Sequence, residues 1–121
     1  MKAKHSKESG FTLVEVMVVA ATIGILTAIA VPNFVKAREI SQKNTCVSNL
    51  KQIECAVSTW GLEKGKANGD PIVGAQLFGI NNYIRVEPTC PAQPGTPYTL
   101  ANVGDDPQVV CPSGVASHVL P

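Results

Sequence analysis

From Phe11 to Val31 the chain runs for 21 residues with a single charged side chain, Glu15. At 1.5 Å rise per residue, a helix of that length reaches about 31 Å, which matches the roughly 30 Å hydrocarbon core of a bilayer. In lipid every backbone polar group must be satisfied within the segment, so helix is the expected state despite the many Val and Ile. Lys2, Lys4 and Lys7 precede the run and predict a cytoplasmic N-terminus by the positive-inside rule. Everything after Pro32 is then expected on the far side of the membrane.

Three readings compete for this run. A secretory signal peptide has a shorter apolar core and a small-residue cleavage site after it. Here the run is longer, and Ala28-Ile29-Ala30-Val31-Pro32 would put a proline at the cut. A plain single-pass anchor fits the length and orientation but leaves Glu15 unexplained. A carboxylate in a lipid-facing helix costs at least about 2.5 kcal/mol on insertion scales, and such residues are usually paired. The third reading supplies a partner, and it comes from the residues just before the run.

The stretch Glu8-Ser9-Gly10-Phe11-Thr12-Leu13-Val14-Glu15 resembles the prepilin-type cleavage site of type IV pilins and type II secretion pseudopilins. That pattern is a short basic leader ending in Gly, then Phe, a few apolar or hydroxyl residues, and Glu at the fifth position after the cut. The resemblance implies that a prepilin peptidase and N-methyltransferase of the membrane cuts after Gly10 and methylates the new amine of Phe11. It makes Glu15 the buried carboxylate of assembly. It makes Gly24 and Pro32 the points where the helix loosens as a filament stretches. The other partners implied are copies of the chain, further pilin-like subunits, an inner-membrane assembly platform and membrane lipid. The location implied is the inner membrane, single-pass, with a cytoplasmic leader and periplasmic head, and then a pilus or pseudopilus filament.

Elementary electrostatics agrees with that assignment. Cutting after Gly10 creates an α-amino group on Phe11, a cation near neutral pH unless strongly desolvated. An unpaired buried charge is expensive and a paired one is tolerated. Pairing the amine of one chain with Glu15 of a neighbour would therefore select the height at which two helices stack.

Charge argues against nucleic acid as a partner. The formal net charge is +1, but without the first ten residues seven Lys and Arg face eight Asp and Glu. A near-neutral remainder gives phosphate backbones little to attract them. No pair of catalytic groups with a supporting constellation is visible, so no enzymatic activity is expected.

Past Pro32, Val47, Leu50, Ile53, Val57 and Trp60 recur at steps of three and four, the mark of an amphipathic helix whose stripe packs on a core. Gly61 and the stretch Lys64–Asp70 supply the stop signals. The expected fold is α+β. One long bent helix from about Phe11 to Glu63 spans the membrane in its first half and carries a small C-terminal head with a short antiparallel hairpin, Tyr98–Leu100 against Gln108–Cys111. The segments expected are a leader (1–10), a transmembrane and assembly half-helix (11–33), an amphipathic half-helix (34–63) and the head (64–121). Within the head, Asp70 and Pro71 are expected to cap a helical turn over Ile72–Phe78, and Tyr83–Val86 reads as a short strand or tight coil.

A head this small supplies little core stability and often carries a covalent staple. Cys46 and Cys55 lie nine residues apart on the predicted helix, about 13.5 Å along its axis, beyond the roughly 7 Å that a disulfide spans. Cys90 and Cys111 are the expected pair, closing a loop that the chain-entropy model values at about 3 kcal/mol. The alternative is a bond from Cys46 to one of them. No Cys-x-x-Cys spacing occurs, so zinc is not expected, and no cofactor is implied. His118 reads as packed or solvated, and Asp105-Asp106 as a solvated turn rather than a calcium loop. The function implied is a filament subunit of a pilus or secretion pseudopilus; the rival is a non-polymerising single-pass protein whose head binds a periplasmic ligand or partner.

Overall fold

The structure, a computed structural model, describes residues 9–121. The leader lysines and His5 lie outside the described residues. The chain divides into two compact units, one reaching to Ala37 and the other from Arg38 to Pro121. Helix α1 runs Leu13–Glu63 and belongs by sequence to both.

In the first unit, α1 is apolar and long enough to cross a membrane, and none of its most apolar stretch is buried. Phe11, Leu13, Met17, Leu26 and Phe34 are all more than 60% exposed. The hydroxyls within this stretch find partners in the helix's own backbone. The Thr22 hydroxyl donates to the Val19 carbonyl at 2.8 Å, and that of Thr27 donates to Ile23 at 2.9 Å and Gly24 at 3.0 Å. Pro32 sits inside the helix and lacks the N–H that would bond to the carbonyl four residues back.

In the second unit α1 buries one face. Cys46, Leu50, Ile53, Ala56, Val57, Trp60 and Gly61 are buried, at steps that keep them on a single stripe. Val47 is only half-buried, and Cys46 begins the stripe in its place. The helix ends in a Schellman motif. Lys66 N–H donates to the Gly61 carbonyl at 2.8 Å, and Gly65 N–H to Leu62 at 3.4 Å. Gly65 makes this possible by adopting φ +62°, a left-handed conformation open to glycine without a Cβ penalty.

The rest of the head packs against that stripe. Helix α2 is one turn, Gly74–Leu77, and brings Leu77 into the core. Its N-cap is Val73, without a side-chain hydrogen bond, so the expected Asp70 cap is not formed. Asp70 instead accepts from the Ala67 N–H through its carboxylate at 3.1 Å and from the Val103 N–H through its carbonyl at 2.9 Å. An Asp side chain bonds its own local turn as readily as a helix end, and here the turn prevails. Ile84, in the stretch read as strand or coil, forms a single bridge to Phe78 and is buried.

Strands β1 (Thr99–Leu100) and β2 (Val109–Val110) pair antiparallel, Thr99 opposite Val110 and Leu100 opposite Val109. The hairpin expected from the sequence is therefore present. Side-chain amides on α1 hold the irregular stretch before it: Asn49 donates to the Tyr98 hydroxyl at 3.2 Å, and Gln42 to the Pro91 carbonyl at 3.4 Å. Trp60, fully buried, donates its indole N–H to Gln76 Oε1 at 3.0 Å.

Candidate functional site: the N-terminal motif and a cysteine cluster

Gly10, Phe11 and Thr12 precede the first helical residue and are all exposed. The bond between Gly10 and Phe11 therefore lies outside the helix, and a Cβ built on Gly10 would meet nothing within 4 Å. Thr12 and Glu15 close the helix end together. Glu15 N–H donates to Thr12 Oγ1 at 3.3 Å, and Thr12 N–H donates to Glu15 Oε2 at 3.4 Å. This reciprocal arrangement is a capping box, which satisfies two N–H groups that the helix start leaves without partners. The signal for it, Thr-x-x-Glu ahead of an apolar run, stands in the sequence beside the cleavage pattern. Glu15 is thus bound to its own helix terminus one turn after Phe11. Gly24 stands in open space.

Cys90 and Cys111 come together, their sulfurs 3.4 Å apart. Cys46 comes closer still, its Sγ 3.1 Å from that of Cys111. His118, near the C-terminus, is buried and presents Nδ1 at 3.9 Å from Cys111 Sγ. Ser113 Oγ lies 3.1 Å from Cys111 Sγ and 3.4 Å from His118 Nδ1. Cys46, Cys90 and Cys111 are buried, whereas Cys55 is exposed. The convergence of Cys46 and His118 on the other two has no local signal, because helix, loop, strand and tail bring them together from distant positions.

The two closest thiols are unlike. Burial, and then the hydrogen bond with Cys111, push the Cys46 thiol up to about 12. Burial alone would raise Cys111 too, but hydrogen bonds from the Ser113 hydroxyl, Cys46, the Ser113 N–H and His118 outweigh it and bring Cys111 down to about 6. The same contact thus pushes the Cys46 thiol up and draws that of Cys111 down.

Against known proteins, residues 5–31 match the model of the prokaryotic N-terminal methylation motif. The chain is 43% identical over 62 residues to the type IV major pilin protein PilA of Myxococcus xanthus, covering 51% of this chain and 28% of that protein. It is 37% identical over 60 residues to the type II secretion system core protein G of Aeromonas hydrophila, covering 50% and 42%. Its N-terminal half is similar to type IV pilins and type II secretion core proteins G. A longer alignment, to core protein G of Pectobacterium carotovorum, covers 81% of this chain and 69% of that protein at 29% identity over 110 residues. The chain spans less than half the length of the first curated relatives it matches. No solved structure matches it.

Proposed function

We propose that this chain is the precursor of a structural filament subunit of a type IV pilus or type II secretion pseudopilus, without catalysis of its own. A prepilin peptidase of the inner membrane cuts after Gly10 and methylates Phe11. The apolar part of α1 then anchors the subunit in lipid, with its head on the periplasmic side. An assembly platform transfers it into a bundle of like helices. There the terminal amine of one subunit pairs with Glu15 of its neighbour and fixes the register. Gly24 and Pro32 give the helix its points of yielding.

The observation that carries this reading is the exposed apolar first part of α1, which falls within the residues that match the methylation motif. A surface of that kind is stable only in lipid or against other apolar helices. Placing the motif at its head gives the helix a charge-bearing end to align.

Mass spectrometry of the chain purified from its native membrane tests the reading. N-methylated Phe11 as the first residue, with higher oligomers in the sheared fraction, is the expected result. An intact Met1 in a protein that stays solitary in the membrane would overturn it in favour of a non-polymerising anchor.

A further inference from the structure

Four ligand atoms, the sulfurs of Cys46, Cys90 and Cys111 and a ring nitrogen of His118, lie within 4.8 Å of one another, and all four residues are buried. We propose that they form a closed structural site for a thiophilic divalent cation of the zinc type. Three thiolates and one imidazole are a recognised ligand set for structural zinc, with Zn–S near 2.3 Å and Zn–N near 2.0–2.1 Å. In a tetrahedron of those bonds, neighbouring ligand atoms stand about 3.5–3.8 Å apart. The S···S contacts of 3.1 and 3.4 Å are shorter than that and the S···N contact of 3.9 Å slightly longer, so shifts of up to about 0.7 Å would bring these three contacts to the tetrahedral spacing.

A disulfide is the rival use of these residues. It would join two of the three thiols and leave a third buried thiol and a buried imidazole without a role. A cation engages all four. The surroundings also fit a metal. Ser113 Oγ contacts Cys111 Sγ, a hydroxyl placed to hydrogen-bond a ligand sulfur from outside the site. Cys111 and His118 also line a cleft shared with Glu54 and Asp106, an entry path with two carboxylates to draw in a cation.

On binding, any proton still held by the three ligand sulfurs passes to solvent, and each thiolate donates an electron pair to the ion. The dipositive ion and three thiolates leave the site with one net negative charge. No electron is transferred. The ion ties α1 to the loop at Cys90, to the residue after β2 and to the C-terminal tail, so its binding energy becomes folding energy for a head with a small core. This inference does not depend on filament assembly.

The test uses the full chain in detergent, purified without added metal, chelator or reductant. Elemental analysis should give one zinc per chain. Alkylation should label Cys55 at once and the other three thiols only after denaturation in chelator. In competition with a chromophoric chelator, His118→Ala and Cys46→Ser should each weaken zinc binding at least about tenfold, since changes to supporting groups alone cost 10–100-fold. Cys55→Ser should leave it unchanged. Cobalt(II) added to the zinc-free chain should show the visible bands of a tetrahedral thiolate complex. A metal-free chain with two thiols missing until reduction overturns the proposal in favour of a disulfide. Equal zinc affinity in His118→Ala overturns it as well. Should the cysteine variant fail to fold, the wild-type metal content and His118→Gln still decide.

Discussion

Glu15 and Thr12 hold each other across the first turn of α1, the carboxylate accepting from the Thr12 N–H while the Thr12 hydroxyl accepts from the Glu15 N–H. Glu15 therefore has a local structural duty besides any role between subunits, and replacing it removes both at once. The two are separable because the cap needs an acceptor whereas register needs a charge.

Glu15→Gln keeps the acceptor, since Gln serves at this capping-box position as Glu does, and loses the charge. Filament yield should fall as far as in Glu15→Ala. Thr12→Ala should loosen the helix start by about 1 kcal/mol yet leave most of the filament. Sheared-fraction yields across the three variants check this. Normal assembly in Glu15→Gln would show that the cap, and not the charge, is what filaments require.

Trp60 fills the centre of the head, fully buried, with its indole bonded to Gln76. Trp60→Ala should destabilise the head by about 3–5 kcal/mol, the range for losing a large core aromatic, and open it to limited proteolysis. Trp60→Phe keeps much of the volume and should lose less than half as much. Denaturant unfolding of the detergent-solubilised chain, followed by tyrosine near-UV dichroism, measures the difference.

Gly65 and Gly104 both adopt positive φ, +62° and +84°, but their surroundings differ. An added Cβ at Gly65 meets nothing, so Gly65→Ala should cost about 1–2 kcal/mol from the left-handed conformation alone. At Gly104 the Cβ would fall 2.6 Å from the Asn68 side chain, adding a clash. Gly104→Ala should therefore cost more than Gly65→Ala, and Asn68→Ala should relieve part of the excess. A double-mutant cycle of unfolding free energies tests this, and strict additivity of the Gly104 and Asn68 changes would refute the clash.

Tyr83 donates its hydroxyl to the Glu63 carboxylate, and that bond, with smaller contributions from burial and the Glu63 charge, raises its pKa above the ordinary 10. A raised folded value means the contact is complete below about pH 10 and is lost as pH climbs through the folded pKa. NMR titration of the tyrosine ring should show late ionisation in the wild type. Glu63→Gln should return it toward the ordinary value; an unchanged titration would count against the assigned partner.

Much of this architecture is legible in the sequence alone. The apolar run and the stripe from Leu50 to Trp60 carry period and length together, and such signals survive tertiary context. The hairpin is readable because turn residues separate two short β-prone segments. Asp70 misleads because Asp-Pro suits a helix start and a turn equally, and here the Asp70 carboxylate is taken by the Ala67 N–H of the preceding turn. Thr12 is easily overlooked because the same eight residues carry two messages, one for processing and one for capping. The cluster of Cys46, Cys90, Cys111 and His118 is hidden for a different reason. Metal-ligand spacing is read along the chain, and here the chain's fold, rather than any local motif, does the gathering.

The stem of α1 up to Ala37 has no interior of its own. Its order is lent by its surroundings, which under the proposed function are first acyl chains and then the flanks of identical stems. A subunit stripped of both would present that greasy column to water and aggregate. Growth of such a fibre must therefore proceed by direct hand-over at the bilayer, with no dissolved monomer on the route.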